Sequence, residues 1–209
     1  MPYRTLTILL LLAVHAWAGP DEVLRKAKAL REQHKWPEIA DLFKRENLGG
    51  WAEDRQMEAL QLKGTAESFA KRGPEAEATL LEAIRRQPKH PDWWLLLADN
   101  YARNFTNKTA DARRAYQEAL TLSSGGLGWQ RFTAAVELAR LMTDEVKINE
   151  ALEILRPYKD MPGIPSGWQI KMMRARGHAL AAAGRDAEAL AQFRSANELE
   201  NKPAPTTKP

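Results

Sequence analysis

The sequence has 209 residues, with 31 Lys and Arg against 27 Asp and Glu, and no cysteine. The lack of cysteine excludes disulfides, thiolate metal sites and cysteine nucleophiles, so stability has to come from packing alone. A net charge of +4 gives little of the long-range field that binds a phosphate backbone. Nucleic acid is therefore not an expected partner.

Residues 1–18 have the pattern of a secretion signal peptide. Arg4 gives a positive start, residues 5–14 form an apolar run, and Ala16-Trp17-Ala18 is a small-x-small cleavage pattern. Cleavage after this pattern is expected, leaving a periplasmic or secreted chain with no membrane span. A retained membrane anchor is the alternative, but a span needs about 20 apolar residues and Gly19-Pro20 ends the run early.

From residue 19 to about residue 200, apolar residues recur three and four positions apart, as in amphipathic helices. Within this stretch one pattern repeats at a spacing in the thirties: a small or branched residue, a large apolar residue four positions later, and usually alanine three further on. In chain order the five copies are Ile39 with Phe43; Ala76, Leu80 and Ala83; Ala112, Tyr116 and Ala119; Ala151, Leu155 and Tyr158; and Ala189, Phe193 and Ala196. Since these positions share one helix face, each copy predicts a seam against a partner helix.

The partner helix lies upstream in each copy. The matching positions are Trp94, Leu97, Ala98 and Tyr101 in copy three, Ala135, Leu138, Ala139 and Met142 in copy four, and Gly177 and Leu180, with a turn at Gly184, in copy five. This tandem pattern resembles the tetratricopeptide-repeat (TPR) family. The resemblance implies an all-α fold: a right-handed α-solenoid of about five helix-turn-helix repeats over residues 19–200.

Three copies depart from the family pattern. Copy one lacks the turn glycine and has Glu46 where alanine is usual, and copy two has Glu67 in place of tyrosine. Copy three carries about two extra residues around Phe105 to Lys108. The first two copies could instead be divergent helix pairs of a related solenoid type.

Tryptophan recurs near the helix entrances, at Trp51, Trp93, Trp129 and Trp168. A ring of this size needs burial, so these residues are expected to be wedges between successive repeats. The alternative is a set of aromatic platforms for a ligand.

Two segments stand outside the repeats. Residues 123–128 are rich in serine and glycine and are expected to be the most flexible internal stretch, whereas residues 201–209 are rich in proline, lysine and threonine and are expected to be disordered. Such a tail cannot form the polar helix that usually caps a repeat array. The outer face of the last helix, residues 186–199, is therefore a candidate surface for self-association or docking.

No catalytic pattern is present in the sequence. His34, His90 and His178 lie far apart, and there is no His-Glu-x-x-His pair, Gly-x-Ser-x-Gly elbow or phosphate-binding glycine loop. Lone histidines are usually surface residues. We expect neither an enzyme nor a bound cofactor or metal.

The TPR resemblance implies that the first helix of each pair lines a concave groove in which a peptide or protein segment binds. By register, the groove residues are Gln61, Thr65, Ser68, Asp99, Arg103, Arg140, Lys171, Arg174 and His178. The carboxy-terminal half of this groove is expected to be basic and to suit an acidic partner, because arginine binds carboxylates through paired hydrogen bonds. The alternative is that these are solvated charges without a specific role. The opening copies lack the lysines and asparagines of the family's carboxylate clamp, so binding of chaperone tails is not implied.

The leading interpretation is therefore an exported scaffold or adaptor that binds a protein segment in its groove. A structural subunit of a cell-envelope complex, using the convex face and the last helix, is the first alternative. A scaffold similar to bacterial kinesin-light-chain proteins, linked to a cytoskeletal polymer, is less favoured because their repeats are longer and the signal peptide argues against a cytosolic partner.

Overall fold

The computed structural model describes residues 19–123, 128–158 and 164–202. In these ranges the chain forms ten α-helices and no strand: α1 (Pro20–Glu32), α2 (Trp36–Lys44), α3 (Glu53–Phe69), α4 (Gly73–Arg86), α5 (Pro91–Asn104), α6 (Thr109–Leu122), α7 (Trp129–Asp144), α8 (Ile148–Leu155), α9 (Ser166–Ala182) and α10 (Asp186–Glu200). The predicted signal peptide, most of the glycine-rich segment and the end of the tail lie outside the described residues. None of the described helices is long and apolar enough to cross a membrane.

Consecutive helices pair into five antiparallel hairpins, from α1 with α2 to α9 with α10. Each first helix, α1, α3, α5 and α7, also packs against the first helix of the next hairpin. The second helices α2, α4, α6 and α8 each pack instead against the following first helix, so the second helices form an outer layer. The predicted all-α solenoid of five helical hairpins is confirmed.

The predicted seams form the core of this stack. In the first four copies every seam residue is at most 4% exposed. Close approach depends on glycine at two places: a Cβ atom on Gly64 would lie 2.8 Å from the Leu80 side chain, and one on Gly177 would lie 2.7 Å from the Phe193 ring. Small residues opposite large ones let the paired helices interlock.

Four hairpins of the described chain share one three-residue turn whose middle residue has a positive φ. These residues are His34 (55°), Lys71 (63°), Val146 (63°) and Gly184 (71°). In each turn the next N–H bonds back to a helix carbonyl, as Lys35 N does to Leu30 O at 3.0 Å, which closes a Schellman motif. Glycine adopts this conformation freely, whereas a β-branched residue such as Val146 is strained in it.

The third hairpin has the predicted insertion and a different turn. Phe105 packs edge-on against Tyr101, with ring centroids 5.9 Å apart. The Lys108 ammonium lies 4.8 Å from the Tyr101 ring centroid and 4.6 Å from that of Phe105, and it also pairs with Glu77 of the preceding hairpin. The extra residues therefore join the second and third hairpins.

Ion pairs cross the first three junctions between hairpins. They are Asp41 with Arg72 (2.7 Å), Glu77 with Lys108 (2.6 Å) and Arg113 with Glu145 (2.7 Å). In the fifth hairpin, Arg185 holds the position of Arg72 and Lys108, but it bonds Glu188 of its own helix at 2.7 Å. Exposed or partly exposed pairs of this kind contribute little to stability. The first three pairs join neighbouring hairpins.

Glu67, the departure in copy two, is buried at the position expected for tyrosine. Its carboxylate accepts a hydrogen bond from Thr79 Oγ1 at 2.7 Å and lies 3.6 Å from Lys63 Nζ. Burial raises the pKa of Glu67, and both the Thr79 hydrogen bond and Lys63 oppose that rise. A hydrogen-bonded carboxyl thus occupies the place of an aromatic ring.

The tryptophans behave as predicted at three of the four positions. Trp93 is 4% exposed, Trp51 packs against the core of the first two hairpins, and Trp168 of α9 stacks on Phe132 of α7 with ring centroids 5.0 Å apart. The prediction of a buried wedge is wrong for Trp129, which is 45% exposed. Trp129 is the first residue of α7, whereas Trp93 and Trp168 each lie two residues inside their helices.

Candidate functional site

The predicted groove residues of the third, fourth and fifth hairpins gather around two clefts between neighbouring first helices. One cleft lies between α7 and α9, with a volume of about 550 Å³, and the other between α5 and α7, with about 230 Å³. Arg140 of α7 lines both. We call them the α7–α9 cleft and the α5–α7 cleft.

The α7–α9 cleft brings together four of the predicted residues. Lys171, Arg174 and His178 lie three and four positions apart on α9, so they share one face and meet Arg140 across the cleft. Val136 and Ala175 add an apolar surface between the charged groups. The cleft therefore offers cations around an apolar strip, an arrangement suited to a protein segment.

Two of these cations, Arg140 and Arg174, already have carboxylate partners. Arg140 bonds Glu137 at 3.0 Å and Asp144 at 3.5 Å, and Arg174 bonds Glu200 at 2.6 Å. Lys171 has no ion-pair partner within 4.0 Å among residues of the described ranges. The predicted basic half of the groove is thus largely neutralised from within, and Lys171 is its cation without a carboxylate partner in the described ranges.

The smaller α5–α7 cleft is lined by Asp99, with Arg103, Thr133 and Glu137 around it. The Asp99 carboxylate accepts a hydrogen bond of 2.6 Å from the hydroxyl of Tyr116. Tyr116 as a whole residue is 1% exposed. Burial raises the pKa of Asp99, although the Tyr116 hydrogen bond opposes the rise. Burial and the neighbouring Asp99 charge together raise the pKa of Tyr116, so its hydroxyl stays protonated.

The groove residues predicted on α3 are not part of either cleft. Gln61 is exposed and Thr65 is half-buried. The prediction for Ser68 is wrong: it is 5% exposed, and its carbonyl and hydroxyl oxygens accept hydrogen bonds from Asn104 Nδ2 at 2.9 and 3.1 Å. Near its end, α3 is covered by α5, so Ser68 contributes to the contact between the second and third hairpins and does not line the groove.

An aromatic stack that the sequence did not predict adjoins Arg103. The guanidinium of Arg103 lies 4.1 Å from the centroid of the Phe69 ring, and Phe69 stacks on Trp36 with centroids 4.7 Å apart. Phe69 remains 41% exposed. This cation–π contact turns Arg103 toward the aromatic rings.

The histidines and acidic residues do not form a metal site in the described part of the chain. His34, His90 and His178 are exposed, as predicted. Groups of three or more histidine, aspartate or glutamate side chains able to hold a metal are absent from the described ranges.

Comparisons with known proteins define the class of fold. No protein-family model matches the sequence, and no curated protein matches it. A candidate kinesin light chain with nearly identical TPR-like repeats from Podosopora anserina is similar in structure, with a TM-score of 0.70 and 16% identity over 88% of this chain and 97% of that one. BtubC (BKLC) from P. vanneervenii gives a TM-score of 0.68 and 14% identity over 90% and 84%.

MamA from AMB-1 is also similar, with a TM-score of 0.64 and 17% identity over 87% of this chain and 96% of that one. At such identities the likeness shows the fold alone. The chain is thus an α-solenoid of the TPR-like class.

Proposed function

We propose that this protein is an exported adaptor, periplasmic or secreted, that holds a segment of a partner protein on its concave surface. The observation that carries the proposal is the α7–α9 cleft, where Arg140, Lys171, Arg174 and His178 converge beside an apolar strip. Because the two helices are held by their own hairpins, the cleft exists before a partner arrives. A preformed cleft spares the partner complex part of the ordering cost of binding.

Lys171 is the residue through which an acidic side chain of the partner binds. It is exposed, lines the cleft and has no carboxylate within 4.0 Å in the described part of the chain. Arg140 and Arg174 are already hydrogen-bonded to carboxylates, so they contribute by shaping the cleft. The acidic character proposed for the partner therefore depends on one lysine.

A photo-crosslinking amino acid at Ala175 tests the proposal in the native cell, with Lys171→Glu and Lys89→Glu as matched variants. Lys89 is an exposed lysine outside the cleft, so both changes alter the net charge equally. We expect Ala175 to crosslink a protein partner, and Lys171→Glu to reduce the yield at least fivefold while Lys89→Glu leaves it unchanged. Absence of any partner crosslink at Ala175 would refute binding in the cleft.

The second candidate function, a structural subunit of a cell-envelope complex, is favoured by the outer face of α10. Leu190 is 48% exposed there and Phe193 is only half-buried. The same crosslinker placed at Ala187, an exposed residue of α10, distinguishes the two functions. Crosslinks from Ala187 without any from Ala175 would favour the structural subunit, and crosslinks to a second copy would favour self-association.

Export is proposed from residues 1–18 alone. Sequencing the amino terminus of the protein from a periplasmic fraction tests it, and we expect the mature chain to begin at Gly19. The kinesin-light-chain-like alternative receives no separate support, since the likeness to such structures concerns the fold.

A further inference from the structure

The two clefts differ in how their charged groups are compensated. In the α7–α9 cleft, Arg140 and Arg174 each have a carboxylate within 3.0 Å. In the α5–α7 cleft the reverse holds, because the partly buried Asp99 carboxylate has no lysine or arginine within 4.0 Å among the described residues. Among the described residues, the Asp99 side chain accepts one hydrogen bond, of 2.6 Å, from the Tyr116 hydroxyl.

The cations nearest to Asp99 are engaged elsewhere. The Arg103 guanidinium is stacked on the Phe69 ring at 4.1 Å. Arg140 is directed to Glu137 and Asp144. A carboxylate offers about four acceptor positions, so Asp99 has acceptor capacity left over in the cleft.

We propose that the α5–α7 cleft is a subsite for the side chain of a lysine or arginine of the bound partner segment, with Asp99 as the residue that receives it. This inference rests on the proposed function, since it assumes that a segment lies along the concave surface. The cleft volume of about 230 Å³ suits one long side chain. Thr133, which also lines the cleft, adds an oxygen acceptor for an ammonium or guanidinium group.

The two clefts together favour one chain direction for the bound partner segment. Asp99 lies on α5 and Lys171 on α9, with α7 between them. A segment that crosses both clefts would carry a basic residue at the third hairpin and an acidic residue at the fifth. Opposite charges at two fixed points would fix the direction of the bound chain, because the reversed orientation would bring like charges together.

Selection of peptides from a random dodecapeptide phage library tests this inference on the full chain. We expect peptides selected on the wild-type protein to be enriched in lysine or arginine at one position, and this enrichment to disappear on the Asp99→Asn variant. Asparagine keeps an oxygen acceptor for Tyr116, so the core of the third hairpin is retained. A circular dichroism melt checks that the variant is folded.

A second measurement uses the selected peptide itself. Exchanging its lysine for norleucine keeps the hydrocarbon stem and removes the charge. We expect this exchange to weaken binding to the wild-type protein by about tenfold, a coupling seen for close charge pairs. The same exchange should leave binding to Asp99→Asn unchanged, as a double-mutant cycle requires.

The outcomes separate this inference from the proposed function. If peptides bind both proteins without any preference for lysine or arginine, or if norleucine is tolerated, the Asp99 subsite is refuted while groove binding stands. If no peptide binds the wild-type protein, the proposed function and the subsite are both refuted. Enrichment that persists on Asp99→Asn would assign the cation to another acceptor and overturn the role of Asp99.

Discussion

The third and fifth hairpins carry the same seam pattern but bury it to different extents. In the third hairpin Tyr116 is 1% exposed, because α5 and α7 both pack against α6. In the fifth hairpin the corresponding Phe193 is only half-buried, although its ring closes against Gly177 and lies 5.1 Å from the His178 ring. A repeat motif thus sets the contacts within a hairpin, while its neighbours decide how much of that motif is removed from water.

This difference matters for energetics and for binding. A solenoid is stabilised by each hairpin and by its interfaces with adjacent hairpins, so a terminal hairpin lacks one set of interfaces. The fifth hairpin nevertheless supplies Lys171, Arg174 and His178 to the α7–α9 cleft. The proposed binding site is therefore built partly on the less stabilised end of the described array.

The largest expected effect is at Tyr116. Tyr116→Ala should destabilise the protein by about 3–5 kcal/mol, the range for deleting a buried aromatic side chain. Urea unfolding monitored by circular dichroism measures it, and Tyr116→Phe is the control that removes only the hydrogen bond to Asp99. A loss below about 1 kcal/mol for the alanine variant would contradict the burial of this seam, because only surface changes are that mild.

Phe193→Ala should destabilise the protein less, by about 2 kcal/mol, because deleting a half-buried ring costs only part of the free energy of deleting a core ring. The sequence alone placed Phe193 and Tyr116 at equivalent seam positions, and the structure shows that only the Tyr116 ring is fully buried. The same unfolding experiment compares the two variants directly. A cost equal to that of Tyr116→Ala would mean that another element or a second copy covers α10 in solution.

The turns provide a third, smaller comparison. Gly184 has a φ of 71°, and an added Cβ would meet no atom within 4 Å, so Gly184→Ala isolates backbone strain. We expect it to destabilise the fifth hairpin by about 1 kcal/mol, and Val146→Gly to relieve a similar strain in the fourth. Thermal melts of both variants measure the effect. If both substitutions shifted the melting temperature in the same direction, the positive-φ conformation of these two turns would be contradicted.

The pH dependence of stability tests the environment of Asp99 and gives the smallest expected effect. The groups that face Asp99 are Tyr116, Glu137, Arg103 and Arg140. Because burial raises the folded-state pKa, the contribution of Asp99 to stability is present below its ordinary pKa of 3.8 and is lost as the pH rises through the raised value. The stability of Asp99→Asn relative to wild type should therefore increase from pH 4 to about pH 7.

Urea unfolding of both proteins across this pH range gives that difference. A relative stability that falls with rising pH would mean that a cation already pairs with Asp99, which would also weaken the case for the α5–α7 subsite.

The fold was accessible from sequence because the solenoid is built from local pairs. Ala112, Tyr116 and Ala119 share a helix face by spacing alone, and the same spacing in five copies predicts five hairpins. Most of the positive-φ turns were not accessible in this way, since His34, Lys71 and Val146 do not carry the glycine signal that Gly184 does. Their conformation is imposed by the Schellman hydrogen bonds of the helices they join.

The candidate site was only partly predictable. Helical register placed Lys171, Arg174 and His178 on one face, and the structure brings them together with Arg140. Register did not reveal Glu200 beside Arg174 or Phe69 beside Arg103, because each pair joins two different helices and depends on how those helices pack. Nor did it reveal that Ser68 is covered by the next hairpin.

The sequence by itself determined that this protein is a stack of helical hairpins, because apolar spacing and chain breaks are properties of neighbouring residues. Tertiary structure decided which charges remain available, because burial and the ion pairs between helices depend on how separate helices pack together. Arg174 and Asp99 show the difference: by spacing both are groove residues, but packing gives Arg174 the Glu200 carboxylate of α10 and leaves Asp99, among the described residues, with a single tyrosine hydroxyl.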